Sequence, residues 1–171
     1  ILAADKTHQD ASIRIDLVQL LAKAAGHSGM VGGQMLDIEA VNYEFQMPEI
    51  TNLQRMKTGA LISACCVAGA IIGKASEHAQ NLLEAYANDI GLAFQIVDDL
   101  LDLEGDEKVL GKKIGKDIGA GKATFVSIMG VQHAKKQAKL LCHQARTHLE
   151  SFGDDAIPLQ CLAHFIVNRR S

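Results

Sequence analysis

Apolar positions recur along most of this chain three and four residues apart, the spacing of helices that bury one side. Ile13, Leu17, Leu20, Leu21 and Ala24 fall on one side of a first helix that Asp10 or Ser12 can cap and Gly26 can end. A second helical stretch is predicted from about Ser28 to Ala40, and a loop from Asn42 to Pro48. Pro48 or Thr51 then opens a further helical region that stops at Gly73. Residues 58–73 within it carry no charge and are bracketed by Lys57 and Lys74. That run falls short of the roughly 20 apolar residues of a membrane span, so it predicts a buried helix and no membrane insertion. Ser76, ahead of His78 and Ala79, starts a long helix that ends near Leu103. Glu104 to Gly121 is the longest predicted loop, with five glycines and several lysines. Helical patterning resumes at Thr124, with Gly130 as a candidate break, and reaches Phe152 and Gly153. Asp154 or Asp155, with Pro158 early in the helix, opens a last one ending at Asn168-Arg169-Arg170, whose arginines suit the negative end of its dipole.

Composition sharpens this to an all-α bundle forming one domain over residues 1–171. Hydrophobic residues make up 48% of the chain, only two residues are proline, and aromatics are 4%, a poor mixture for a sheet. The net charge of -3 gives no overall attraction to nucleic acid or to an anionic membrane. Cys65, Cys66, Cys142 and Cys161 form no C-x-x-C pair and read as reduced, buried thiols, which points to the cytoplasm. The seven histidines show no metal-ligand spacing, and those between His133 and His148 are expected on a solvated face. No signal-peptide pattern is visible, and a start at Ile1 rather than methionine points to a truncated chain.

The chemistry concentrates on the long helix. At about 100° per residue, Gln95, Asp98, Asp99 and Asp102 share a stripe about 100° wide, while Leu92, Phe94, Ile96, Val97, Leu100, Leu101 and Leu103 surround it. A helix apolar on its other faces is expected to be buried, so its carboxylates should face one internal cavity. Three carboxylates this close repel unless a cation neutralises them, and an oxygen-only set selects a hard ion such as Mg²⁺. Asp102, Glu104 and Asp106 begin like a calcium loop, but Glu107 stands where glycine is needed and Lys113 where the bidentate glutamate belongs. Residues 111–122 then combine glycines with Lys112, Lys113, Lys116 and Lys122, a plausible lid over a metal-bound diphosphate though not a Walker loop.

These residues resemble a known family. Phe94-Gln95 followed by Asp98-Asp99-x-x-Asp102 is similar to the second aspartate-rich motif of trans-isoprenyl diphosphate synthases, and the glycine-lysine segment to the flap after it. Lys57-Thr58-Gly59 resembles their K-T motif, and Gly32-Gly33-Gln34-Met35-Leu36-Asp37 their G-Q-x-x-D motif. The details look most like bacterial farnesyl diphosphate synthases. The resemblance implies the isoprenoid synthase bundle, incomplete at its N-terminus, because the family's first aspartate-rich motif has no equivalent in residues 1–90.

It also implies a Mg²⁺-dependent condensation of isopentenyl diphosphate with an allylic diphosphate, dimethylallyl or geranyl, by a cytoplasmic homodimer. Asp98, Asp99 and Asp102 would hold metal, and Lys57, Lys112 and Lys122 the diphosphate. Thr58, Gln95 and the Lys57 carbonyl would face the developing cation, with Gln34 and Asp37 in support. An extra residue in the flap leaves Lys112 and Lys113 interchangeable, and spacing alone would have Lys57 end a helix and Thr58 cap the next. The resemblance also places basic residues near the site at the chain end, where Arg169 and Arg170 stand. Two further classes compete: a non-catalytic partner subunit of a heteromeric prenyl synthase, and a terpene cyclase half. The intact second motif disfavours both.

Overall fold

In a computed structural model the described residues are 1–40, 45–110 and 124–169, with residues 104–110 described by their backbone alone. Asp10 caps α1 (Ala11–Ala25), its Oδ1 accepting from the Ser12 amide at 2.9 Å. Gly26 closes that helix, as the sequence predicts, and α2 (Met30–Glu39) follows. Pro48 lies in the first turn of α3 (Met47–Gln54), so it rather than Thr51 opens the helix. Thr51 sits inside, its hydroxyl donating to the Met47 carbonyl at 2.8 Å.

Between α3 and α4 (Ala60–Ile72) the chain does not break at Lys57. It widens into a π-helical turn, Arg55–Gly59, and continues, with the Ala60 amide reaching back to the Arg55 carbonyl. The combined helical stretch Met47–Ile72 has 26 residues, and an 18-residue window within it reaches a mean hydropathy of 1.4, long and apolar enough in composition to cross a membrane. The buried helix expected here is only partly buried: Ala64 and Ala70 are covered, while Cys65 and Ile72 are exposed. The reason is that α4 packs between α1 and α5 and leaves its remaining surface open among the described residues.

The long helix α5 spans Glu77–Leu110, past the point near Leu103 where the sequence predicts a loop. The loop was inferred from glycines and lysines, and a single Gly105 costs a helix only about 1 kcal/mol. Tyr86, Ala87, Ile90, Ala93, Ile96, Val97 and Leu100 bury one side of α5 against α7 (Val131–His148). There Ala134, Ala138, Leu141 and Ala145 keep the two helices close. Each large apolar side chain fully buried in such a seam contributes about 1.5–3 kcal/mol.

Thr124 caps the short α6 (Phe125–Met129), and Gly130, at φ 77°, turns the chain into α7 through a conformation that disfavours other residues. A 3₁₀ segment, Glu150–Ala156, precedes α8 (Ile157–Asn168). Asp154 and Asp155 lie inside that segment, so neither caps α8, whose N-cap is Ala156. The Tyr86 hydroxyl donates to the Leu159 carbonyl at 2.8 Å and ties α8 to the core. No strand occurs among the described residues.

Two surface expectations change. Cys65 and Cys161 are exposed and Cys66 and Cys142 half-buried, because α4 and α8 each keep an open side; all four are free thiols. His133 and His143 are exposed as expected, but half-buried His148 lies 3.2 Å from Asp89 on α5.

Candidate functional site

A close approach of two backbones builds the site. A Cβ on Gly33 would lie 2.3 Å from the Lys57 amide nitrogen and 2.7 Å from its Cα, so only glycine lets α2 seat against the π turn. One turn further along α2, Asp37 is buried, 6% exposed, and its Oδ2 takes the Lys57 ammonium at 2.8 Å. On the other side, a Cβ on Gly91 of α5 would meet the Gly59 Cα at 3.3 Å. That contact brings α5 against the same turn. The Thr58 hydroxyl donates to Gln95 Oε1 at 2.9 Å. Neighbouring residues Lys57 and Thr58 thus engage two different helices. π turns of this kind are frequent at functional sites.

Gln95 lies one turn before the carboxylates. The Asp98 side chain is 49% exposed, and its Oδ1 accepts from Arg169 Nη2 at 2.7 Å. Asp99 Oδ2 accepts from the Phe125 amide at 2.9 Å, which fixes the start of α6. Burial pushes the Asp99 carboxyl up to about 6; the Phe125 amide opposes that, and the Asp98 and Asp102 charges add to it. Asp102 is exposed.

The three carboxylates share a stripe, but among the described residues nothing encloses them in a cavity. The described helices crowd the apolar sides of α5 and leave this stripe half open. Among the described residues no three His, Cys, Asp or Glu side chains converge into a metal centre. By donor type the stripe still fits a hard divalent ion: it offers carboxylate oxygens only, and burial, with the neighbouring Asp98 and Asp102 charges, raises the Asp99 carboxyl, which a bound cation would offset.

The structure therefore pairs Lys57 with Asp37 and Thr58 with Gln95, and Gln95 lies a helical turn before Asp98 and Asp99. Gln34 is exposed on α2 and takes no part in those bonds. Lys112, Lys113 and Lys122, with the flap, lie outside the described residues. Arg169 departs from the helix-dipole reading and agrees with the basic residue that the resemblance places near the site. Its guanidinium reaches Asp98, as above, and lies 4.2 Å above the centre of the Phe94 ring, instead of merely following α8. Its signals in the sequence were a basic pair at the end of the last helix and the resemblance that sets such residues near the site.

The profile of the polyprenyl synthetase family matches residues 2–154. The geranylgeranyl diphosphate synthase of Cyanophora paradoxa is 39% identical over 171 residues, 99% of this chain and 57% of that protein. The farnesyl diphosphate synthase of Escherichia coli K12 is 39% identical over 160 residues, 91% of this chain and 54% of that protein. A crystal structure of an FPP/GFPP synthase from Zymomonas mobilis superposes with a TM-score of 0.86 at 45% identity. That match covers 96% of this chain and 55% of the other. The chain spans about half the length of the curated relatives it matches.

Proposed function

The chain belongs to the polyprenyl synthetase family, and on that premise we propose that it carries the diphosphate- and metal-binding half of a farnesyl diphosphate synthase. The parent condenses isopentenyl diphosphate with dimethylallyl and then geranyl diphosphate. The observation that carries the reading is the pair of contacts Lys57–Asp37 and Thr58–Gln95, which gather residues of three separate motifs beside Asp98 and Asp99.

Lys57 holds the allylic diphosphate, with Asp37 fixing the ammonium until substrate arrives. Asp98, Asp99 and Asp102 would hold magnesium, which when bound supplies positive charge to the leaving diphosphate. The Thr58 and Gln95 oxygens face the cation left when the allylic carbon–oxygen bond breaks with its electron pair on diphosphate. The isopentenyl double bond attacks that carbon, and the cation so formed loses a proton to the departed diphosphate, leaving a new carbon–carbon double bond. Lys112 and Lys122 contact the departing diphosphate.

The resemblance implies a homodimer, and the exposed apolar residues Ile15, Val18, Leu21, Val31, Met35 and Ile38 on α1 and α2 are a face for the rest of the parent or a second copy to cover. Free thiols support a cytoplasmic setting, and the packing of α4 between α1 and α5 supports a bundle helix rather than a membrane span. Intact Lys57–Thr58 and Asp98–Asp99 pairs argue against a non-catalytic subunit.

Prenyl transfer with radiolabelled isopentenyl diphosphate tests the reading. The parent should make farnesyl diphosphate with Mg²⁺, and Asp98→Ala in it should lower kcat by orders of magnitude. This chain alone lacks the first aspartate-rich motif and should make none. Turnover by the chain alone would contradict the requirement for both carboxylate sets.

A further inference from the structure

Arg169 is the first residue beyond α8, and there the backbone leaves the helix for an extended conformation, φ -62° and ψ 151°. Its side chain folds back onto α5, only 14% exposed, with Nη2 2.7 Å from Asp98 Oδ1. The guanidinium plane rests on Phe94, one turn before Asp98, at 4.2 Å from the ring centre. Its Nε is buried and has no hydrogen-bond partner among the described residues. A permanent structural anchor would use the guanidinium as a two-pronged fork and satisfy its buried donors. This contact is single-ended and leaves a donor unmet, which suits a contact that is made and given up.

We infer that Arg169 is a stand-in counter-ion, occupying Asp98 in the metal-free site and competing with a divalent cation for that carboxylate. The inference rests on the reading of Asp98 as a metal ligand. Asp98, Asp99 and Asp102 lie within little more than one turn of α5, so a fixed positive charge beside Asp98 relieves their repulsion when no metal is present. Arginine stays charged at every working pH, so the relief is constant. A divalent ion approaching Asp98 meets that same charge, and its affinity falls by the Coulomb work involved. By linkage, metal binding loosens Arg169 and the end of α8 to the same degree.

Calorimetric titration of the chain with Mg²⁺ tests this, with wild type, Arg169→Gln and Arg169→Lys compared and the metal-free Tm of each recorded. Arg169→Gln should lower the metal-free Tm yet bind Mg²⁺ roughly fivefold more tightly, the scale of one removed charge at a half-solvated site. Arg169→Lys, which keeps the charge, should bind Mg²⁺ as wild type does. Unchanged or weaker binding by Arg169→Gln overturns the inference, because a structural or orienting role predicts those results. If Arg169→Gln fails to fold, Phe94→Leu removes the aromatic seat instead and should also tighten binding; no tightening there overturns it too. Wild-type binding that survives Asp98→Asn unchanged overturns the reading of the site itself, a result separable from the behaviour of Arg169.

Discussion

The Lys57 ammonium lies 2.8 Å from Asp37 Oδ2, joining a π-helical turn to a buried carboxylate twenty residues earlier. Asp37 is 6% exposed and the Lys57 side chain 32%, so the pair is half screened by solvent. Asp37→Ala should destabilise the chain by about 1–2 kcal/mol, between the values for surface and buried pairs. Urea unfolding monitored by circular dichroism measures it. A loss below the error of the melt would mean that the pair does not hold α2 to the turn.

Two glycines should respond in opposite directions. Gly33→Ala places a methyl 2.3 Å from the Lys57 backbone nitrogen, where no side-chain rotation relieves the clash. The helices must part, at a cost of about 1–3 kcal/mol. Gly69→Ala adds a methyl to α4 with nothing within 4 Å, and should stabilise the chain by about 0.5–1 kcal/mol. Thermal melts of both variants check the pair; a stabilising Gly33→Ala would remove the close approach on which the site is built.

How far the sequence reached follows from what kind of signal each feature carries. Apolar periodicity placed α1 and α7 closely, because each buries one face; α2 was also placed, although it buries Gly33 and Asp37 and leaves Val31, Met35 and Ile38 exposed. The Asp10 cap and the Gly130 turn were legible from residue type alone. The π turn was not, since a single extra residue in a helix leaves no compositional mark. It nevertheless carries Lys57 and Thr58, whose side chains bond to two different helices. The end of α5 was misplaced because glycine and lysine content weighs against helix only weakly. The resemblance placed Arg169 near the site, but its pairing with Asp98 was not legible, because the partner is 71 residues away, a distance that no local pattern encodes.

Asp99 gives the chain a pH signature. Its carboxyl is raised from 3.8 to about 6, chiefly by burial. The folded state thus takes up a proton more readily than the unfolded chain. That contribution to stability is complete below about pH 3.8 and is lost as pH rises through about 6. Asp99→Asn stays neutral throughout, and its carbonyl can still accept from the Phe125 amide. Relative to the variant, wild type should therefore lose a few degrees of Tm between about pH 4 and pH 7. Mg²⁺, which favours the ionised carboxylate, should recover part of that loss at neutral pH. Parallel Tm curves for the two proteins across this window would contradict the assignment.

On the proposed reading, one end of this bundle binds a metal–diphosphate through Lys57 and the carboxylate stripe. Calorimetric titration of the chain with inorganic pyrophosphate, with and without Mg²⁺, tests it most directly. Binding should require Mg²⁺ and weaken by roughly tenfold or more in Lys57→Ala and in Asp98→Asn, each of which removes a charged contact to the complex. Asp154→Ala, exposed in the 3₁₀ segment before α8, should bind as wild type does. Pyrophosphate binding that ignores Mg²⁺, or that is equal in all four proteins, would contradict the account.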